Sequence, residues 1–131
     1  METVRIAIGL IWNAGELLIA RRNPGTRQAL KWEFPGGKIE SEESAGTAVV
    51  RAVLEETGLR VQLLGERQRI LHTYPDHRVE IHVFDCRADS REAAPLSSQE
   101  VRWVPPAELP NYDVPAANSA LVAELVAAPP R

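Results

Sequence analysis

Cysteine occurs once in the 131 residues, as Cys86. A lone thiol excludes an intrachain disulfide and fits a reducing compartment. The expected role of Cys86 is that of a small residue in or near a strand rather than a nucleophile. Long apolar runs are also lacking. The longest early one, Ile6 to Trp12, is far too short to span a bilayer, and the opening Met1-Glu2-Thr3 has no basic leader. A cytoplasmic protein that does not engage membranes is expected. Positive charge is in deficit: 18 acidic side chains stand against 15 basic ones, a net charge of −3. That balance supplies no broad field for polymeric nucleic acid. It leaves room for small phosphorylated ligands, which local cations or a metal can receive. His72, His77 and His82 are scattered without metal-ligand spacing, and no catalytic role is assigned to them. There is no internal repeat and no linker.

Hydrophobic residues make up 44% of the chain and charged residues 25%, enough for one core and too apolar for disorder. One domain over residues 1–131 is expected. Both alternating sets between Val4 and Asn13 are largely apolar, which predicts a strand buried on two faces. Asn13-Ala14-Gly15 turns the chain into a returning strand over Glu16–Arg22. A loop opens at Asn23-Pro24-Gly25, and Trp32–Phe34 is a short strand stopped by Pro35-Gly36-Gly37, where the glycines permit unusual dihedrals. Ser44 is the expected N-cap of a helix running to about Thr57, with Gly58 ending it. Extended segments follow over Arg60–Tyr74 and Arg78–Arg87, the latter with Val79, Ile81 and Val83 on one face. The stretch Ala88–Gln99 is irregular, Val101–Val104 is a short strand, and Pro105-Pro106 starts a helical turn ending at Pro110. A final helix is predicted over Ala116–Ala127 with Leu121, Val122 and Leu125 inward, and Pro129-Pro130-Arg131 is expected to fray. Strands on both sides of a central helix, with a second helix at the end, predict an α/β fold with helices packed on a mixed sheet.

The central helix carries the chemistry. At about 100° per residue, Ala45, Ala48, Ala52, Glu55 and Glu56 fall on one side, with Val49 and Val53 beside them. The small residues of this stripe are read as leaving room, and the two carboxylates as filling it with a cation. Adjacent like charges repel, and hard oxygen ligands suit magnesium, which keeps waters and takes further ligands from substrate phosphates. Arg51 lies four residues before Glu55 and can brace it. A Glu-Glu pair near a helix end is, on its own, most often a solvated face.

The spacing decides between these. Gly37, Glu43, Arg51, Val53, Glu55, Glu56, Gly58 and Leu59 fall in register with the Nudix box, which the segment resembles. The resemblance implies an α/β/α sandwich around a mixed sheet, with the box as loop–helix–loop, and hydrolysis of a diphosphate linked to another group. It implies magnesium, or manganese, held by Glu55, Glu56 and the Gly36 carbonyl, with Arg51 and Glu43 orienting the carboxylates. The likeness extends over nearly the whole chain and is nearest to the MutT-type oxidised-guanine nucleotide triphosphatases. It is carried by Ile6–Gly9, Arg21-Arg22, Trp32–Glu40, Tyr74-Pro75-Asp76, Trp103 and Pro115–Asn118. It implies that Asn118 reads the guanine edge, that Phe34 and Tyr74 flank the base, and that Arg22 and Lys38 contact substrate. Amide, aromatic and guanidinium groups suit those tasks. Without the resemblance, Asn118 reads equally as a helix cap, Phe34 as core and Arg21-Arg22 as a solvated strand end.

The pattern fails at Ala52, where the box has a glutamate that binds metal and often serves as base. A distant glutamate common in the family falls at Ser97, with Glu92 and Glu100 as imperfect substitutes. Three readings follow: an engineered knock-out that traps substrate, replacement by Glu40, Glu43 or Glu100, or a nucleotide-binding module without catalysis. The leading expectation is a magnesium-dependent nucleoside triphosphate pyrophosphohydrolase acting on an oxidised guanine deoxynucleotide. A pyrimidine or broad-specificity enzyme is the alternative. Nothing in the pattern sets an oligomeric state.

Overall fold

A computed structural model describes residues 1–128. The frayed end expected at Pro129-Pro130-Arg131 lies outside the described residues. The elements are β1 (Glu2–Asn13), β2 (Glu16–Arg21), β3 (Trp32–Glu33), β4 (Gly36–Lys38), α1 (Ala45–Thr57), β5 (Val61–Thr73), β6 (His77–Ala88), β7 (Glu100–Val104) and α2 (Ser119–Ala127). One sheet joins the strands in the order β3-β2-β1-β6-β5, with β4 also paired to β1 and β7 to β2. β1 and β6 run parallel from Glu2↔His77 to Trp12↔Arg87, and the other pairs are antiparallel. The sheet is therefore mixed.

Alternation along the central strands builds two cores. Ile8, Leu10, Trp12, Leu17, Ile19, Ile81 and Val83 turn to the face covered by Leu121, Val122 and Leu125 of α2. Ala7, Ile11, Leu18, Phe84 and Cys86 turn to the opposite face, under Ala48, Val49 and Val53 of α1. A strand apolar on both faces needs such double cover, and the result is the expected α/β/α sandwich. Gly9 makes the fit on the α1 side close: a Cβ there would lie 3.2 Å from a Val49 methyl carbon.

The helix signals act as read. The Ser44 hydroxyl accepts from the Thr47 N–H at 3.1 Å, and Gly58 adopts φ 78°, its N–H donating to the Leu54 carbonyl. The C-terminal helix differs from expectation. Ala116–Asn118 form a separate 3₁₀ turn and α2 begins only at Ser119. The Asn118 N–H bonds to the Pro115 carbonyl and the Ser119 hydroxyl to the Ala116 carbonyl, so the tighter spacing is satisfied locally.

Strand β4 also departs from the sequence reading, which predicts a turn with unusual dihedrals at Gly36 and Gly37. Neither has a positive φ. They form a strand against the middle of β1, with Ile8↔Gly36 and Ala7↔Gly37 opposed. Close approach is what demands glycine here. A Cβ on Gly36 would sit 2.1 Å from the Ala7 carbonyl oxygen and 2.7 Å from the Ile8 Cα. This packing is possible because β1 and β2 pair only at Trp12↔Leu17 and Asn13↔Glu16 and then separate, so that Phe34–Lys38 enters the fork. The Gly9 N–H donates to the Pro35 carbonyl at 2.8 Å, anchoring the inserted segment.

These contacts rank the two glycines. A Cβ on Gly37 would meet only the Ala52 and Glu56 side chains, at 3.3 and 3.8 Å. Gly36→Ala is expected to lower stability by about 3 kcal/mol or more, and Gly37→Ala by about 1 kcal/mol or less. Denaturant midpoints of the two variants test this, and equal midpoints would show that close backbone approach is not the constraint.

Candidate active site

Arg51 organises the mouth of α1. Its Nε donates to Glu43 Oε2 at 2.7 Å and its Nη2 to Glu43 Oε1 at 2.9 Å, a two-pronged pair. The same Nη2 reaches the Lys38 carbonyl at 3.1 Å, and Nη1 lies 3.3 Å from Glu55 Oε2. Glu43 also accepts from the Glu40 N–H at 3.0 Å. The Arg51 hydrogen bonds, then that backbone bond, pull the Glu43 carboxyl down to about 2. The loop after β4 is thereby tied to the helix that follows it.

The two adjacent carboxylates have different surroundings. Glu55 is 62% exposed and rests on Arg51 at the rim. Glu56 faces inward, into a cavity lined also by Arg22, Glu33, Phe34, Gly36, Gly37, Lys38 and Ser97. Burial, followed by the nearby charge of Glu33, pushes the Glu56 carboxyl up to about 7, although a hydrogen bond from the Gly36 backbone opposes the shift. Glu33 is raised by burial too, against the pull of Arg22, whose Nη1 donates to Glu33 Oε2 at 3.0 Å. The stripe of small residues leaves no room, contrary to the sequence reading. Ala48 and Ala52 are buried, Ala48 in the core and Ala52 against Gly37.

A second cavity of about 160 Å³ adjoins the first and shares Ile6, Ile8, Arg22, Glu33 and Phe34 with it. Its other walls include Tyr74, His77, Arg27 and Asn118. Arg22, Phe34, Tyr74 and Asn118 thus meet in one place. Asn118 makes no side-chain cap bond to α2, which removes the capping role left open by the sequence. It is 7% exposed, and its Oδ1 is buried without a hydrogen-bond partner. A buried acceptor of this kind can take a donor from water or from a ligand. Phe34 belongs to the core as well as to the cavity wall.

Two wall residues have no role in the sequence reading. His77 stacks on Tyr74 with ring centroids 4.9 Å apart, and its ring contacts Arg27 Nη1 at 2.9 Å. No residue spacing announces this, because the contact is made across a loop. Glu33 lies inside the Trp32–Glu40 stretch, yet only the fold shows that it lines both cavities.

Of the substitutes for the missing acids, only the place of Ser97 is at the site. The Leu96 N–H donates to the Glu56 carbonyl at 3.1 Å, and Asn23 holds the Ser97 carbonyl at 3.1 Å, fixing this loop beside α1. Glu100 is held by Arg102 at 3.1 Å and by Arg21 at 3.8 Å. Neither Glu100 nor Glu92 lines the Glu56 cavity. Among the described residues no three His, Cys, Asp or Glu side chains gather as a ready metal site. Magnesium needs only one or two carboxylates when phosphates complete its shell. The half-buried Glu56 beside Gly36, once ionised, fits that partial donor set.

The raised Glu56 carboxyl has a consequence for stability. Between its ordinary 4.5 and about 7 the folded protein holds a proton that the unfolded chain releases. Its contribution is fully present below pH 4.5 and is lost as the pH rises through about 7. Glu43 acts in the opposite sense, its contribution being lost only as the pH falls from 4.5 towards about 2. Melting temperatures in chelator are therefore expected to fall from about pH 5 to about pH 8, with a shallower fall in Glu56→Gln. Parallel profiles would remove Glu56 as the cause.

The NUDIX domain family matches residues 7–124. An 8-oxo-dGTP diphosphatase of Escherichia coli (strain K12) is 32% identical over 126 residues, covering 95% of this chain and 98% of that protein. A CTP pyrophosphohydrolase of the same strain is 32% identical over 90 residues, covering 63% of this chain and 67% of its own. Among solved structures, a MutT protein from Methanosarcina mazei Go1 superposes with a TM-score of 0.85 at 27% identity, covering 95% of this chain and 93% of that one. The mixed sheet, the loop–helix–loop bound by Arg51 and the match over most of the sequence agree: the chain belongs to the Nudix hydrolases.

Proposed function

We propose that this chain is a magnesium-dependent nucleoside triphosphate pyrophosphohydrolase, releasing a monophosphate and pyrophosphate, with an oxidised guanine deoxynucleotide as preferred substrate. The observation that carries the reading is buried Asn118, its Oδ1 unpartnered, on the wall of a cavity that shares Arg22, Glu33 and Phe34 with that of Glu56. An amide both donates and accepts, so it can meet the adjacent donor and acceptor of a purine edge. Phe34 and Tyr74 flank the base, and His77 backs Tyr74. Arg22 lines both cavities, and Lys38 lines the one beside Glu56, the phosphate side. The relative named 8-oxo-dGTP diphosphatase supports the base assignment.

Glu56, Glu55 and the Gly36 carbonyl are the groups that would hold magnesium together with substrate phosphates; manganese is the alternative ion. Bound there, the ion neutralises phosphate oxygens and favours attack by water. Arg51 positions Glu55 and is itself fixed by Glu43. No helix among the described residues is long and apolar enough to cross a membrane. We place the protein in the cytoplasm, acting as one domain on small nucleotides rather than polymeric nucleic acid.

A second reading is a nucleotide-binding module without catalysis, favoured by Ala52 and Ser97 where acids are expected. Pyrophosphate release across a nucleotide panel, with and without magnesium, separates the two. Metal-dependent release that favours oxidised dGTP is expected, and Asn118→Ala should reduce that preference about tenfold or more, since an unmet buried polar group costs about 1–3 kcal/mol. Tight nucleotide binding without release would establish the silent module. An unchanged preference in Asn118→Ala would overturn the guanine assignment, and a preference for CTP would favour the likeness to the relative named CTP pyrophosphohydrolase.

A further inference from the structure

Hydrolysis needs a group to take the proton of the attacking water, and Ala52 cannot. The carboxylates expected to stand in are engaged elsewhere. Glu43 is clasped by Arg51, Glu40 lies 3.7 Å from the same guanidinium, and Glu100 is paired on β7. Glu55 sits at the rim on Arg51. Among the described residues, the only acid besides Glu56 that lines the phosphate-side cavity is Glu33.

Three observations single it out. Glu33 lies on β3, its backbone fixed opposite Ala20 of β2, so the side chain starts from a rigid base. Its Oε2 accepts from Arg22 at 3.0 Å, whereas Oε1 accepts no hydrogen bond among the described residues. It also lines the cavity that Asn118 borders. A nucleotide with its base against Asn118 and its phosphates against Glu56 must pass Glu33.

We propose that Glu33 is the general base of this chain, in the role that Ala52 leaves vacant. This rests on the pyrophosphohydrolase reading above. The Glu33 Oε1 takes a proton from water as the water oxygen forms its bond to phosphorus. The bridging P–O bond between the monophosphate and pyrophosphate halves breaks, and its electron pair leaves with the departing half. Arg22, on Oε2, holds the carboxylate in place.

The test is a double-mutant cycle of Glu33→Gln and Ala52→Glu, read by kcat and KM for pyrophosphate release and by calorimetric affinity for a non-hydrolysable nucleotide. Glu33→Gln alone should lower kcat about 10²-fold or more, with affinity for the analogue and KM each within about threefold. In the Ala52→Glu background the same change should cost less than about tenfold, because a second carboxylate is present. Activity of that double variant also shows that Glu33→Gln leaves the fold intact. Retention of kcat within about threefold in Glu33→Gln would overturn the proposal, as would loss of activity in both backgrounds, which marks a structural or binding role. A native chain that is inactive but becomes active on Ala52→Glu would also overturn it and would mark the chain as a disabled pyrophosphohydrolase. Inactivity in both of those chains would remove that reading as well.

Discussion

The close approach of β4 to β1 is the contact on which the site depends. With a Cβ on Gly36 only 2.1 Å from the Ala7 carbonyl oxygen, no other residue type permits this backbone-to-backbone packing. It brings the Gly36 backbone within hydrogen-bonding reach of Glu56 and leaves Lys38 on the cavity wall. It also sets the start of the loop that Arg51 clasps through the Lys38 carbonyl and Glu43. Helix, loop and strand are thus referenced to one fixed point, and the positions of the acids follow from it.

From that geometry come contrasting carboxylates within a short stretch of chain. Glu43 receives two guanidinium bonds and a backbone bond, and stays ionised into acid. Glu56 is half-buried near another acid, and its carboxyl is pushed up to about 7. The same functional group is in one place an ionised anchor and in the other a carboxyl with raised proton affinity on a cavity wall. Environment, not residue type, makes the distinction. Metal and phosphate arriving together would supply the positive charge and the oxygen ligands that Glu56 lacks.

Local signals are legible where the physics is local. The Ser44 cap, the Gly58 stop and the face of Val79, Ile81 and Val83 depend on near neighbours or on period two, and all appear as read. The box spacing identifies the family because it encodes a loop–helix–loop of fixed length. Tertiary contacts are not legible. Strand β4 is formed by pairing with a segment far back in the chain, so Gly36-Gly37 reads as a turn. The small residues of α1 read as free space because the element that fills it is set by the fold. His77 and Glu33 acquire their places only when β6 and β3 are set beside the rest of the sheet.

The same closeness explains how α1 accommodates alanine at position 52. Ala52 is 2% exposed and lies where a Gly37 Cβ would come within 3.3 Å of its own, so the small side chain is packed rather than facing a void. A carboxylate here would have to emerge past Gly37 towards a cavity that already holds two acids with raised proton affinity. In the metal-free protein a third like charge adds repulsion in a partly buried setting, where it is poorly screened. Alanine avoids that repulsion. Stability of the free chain therefore favours alanine at this position, and Glu33, held by Arg22, keeps a second carboxylate in the cavity without adding another.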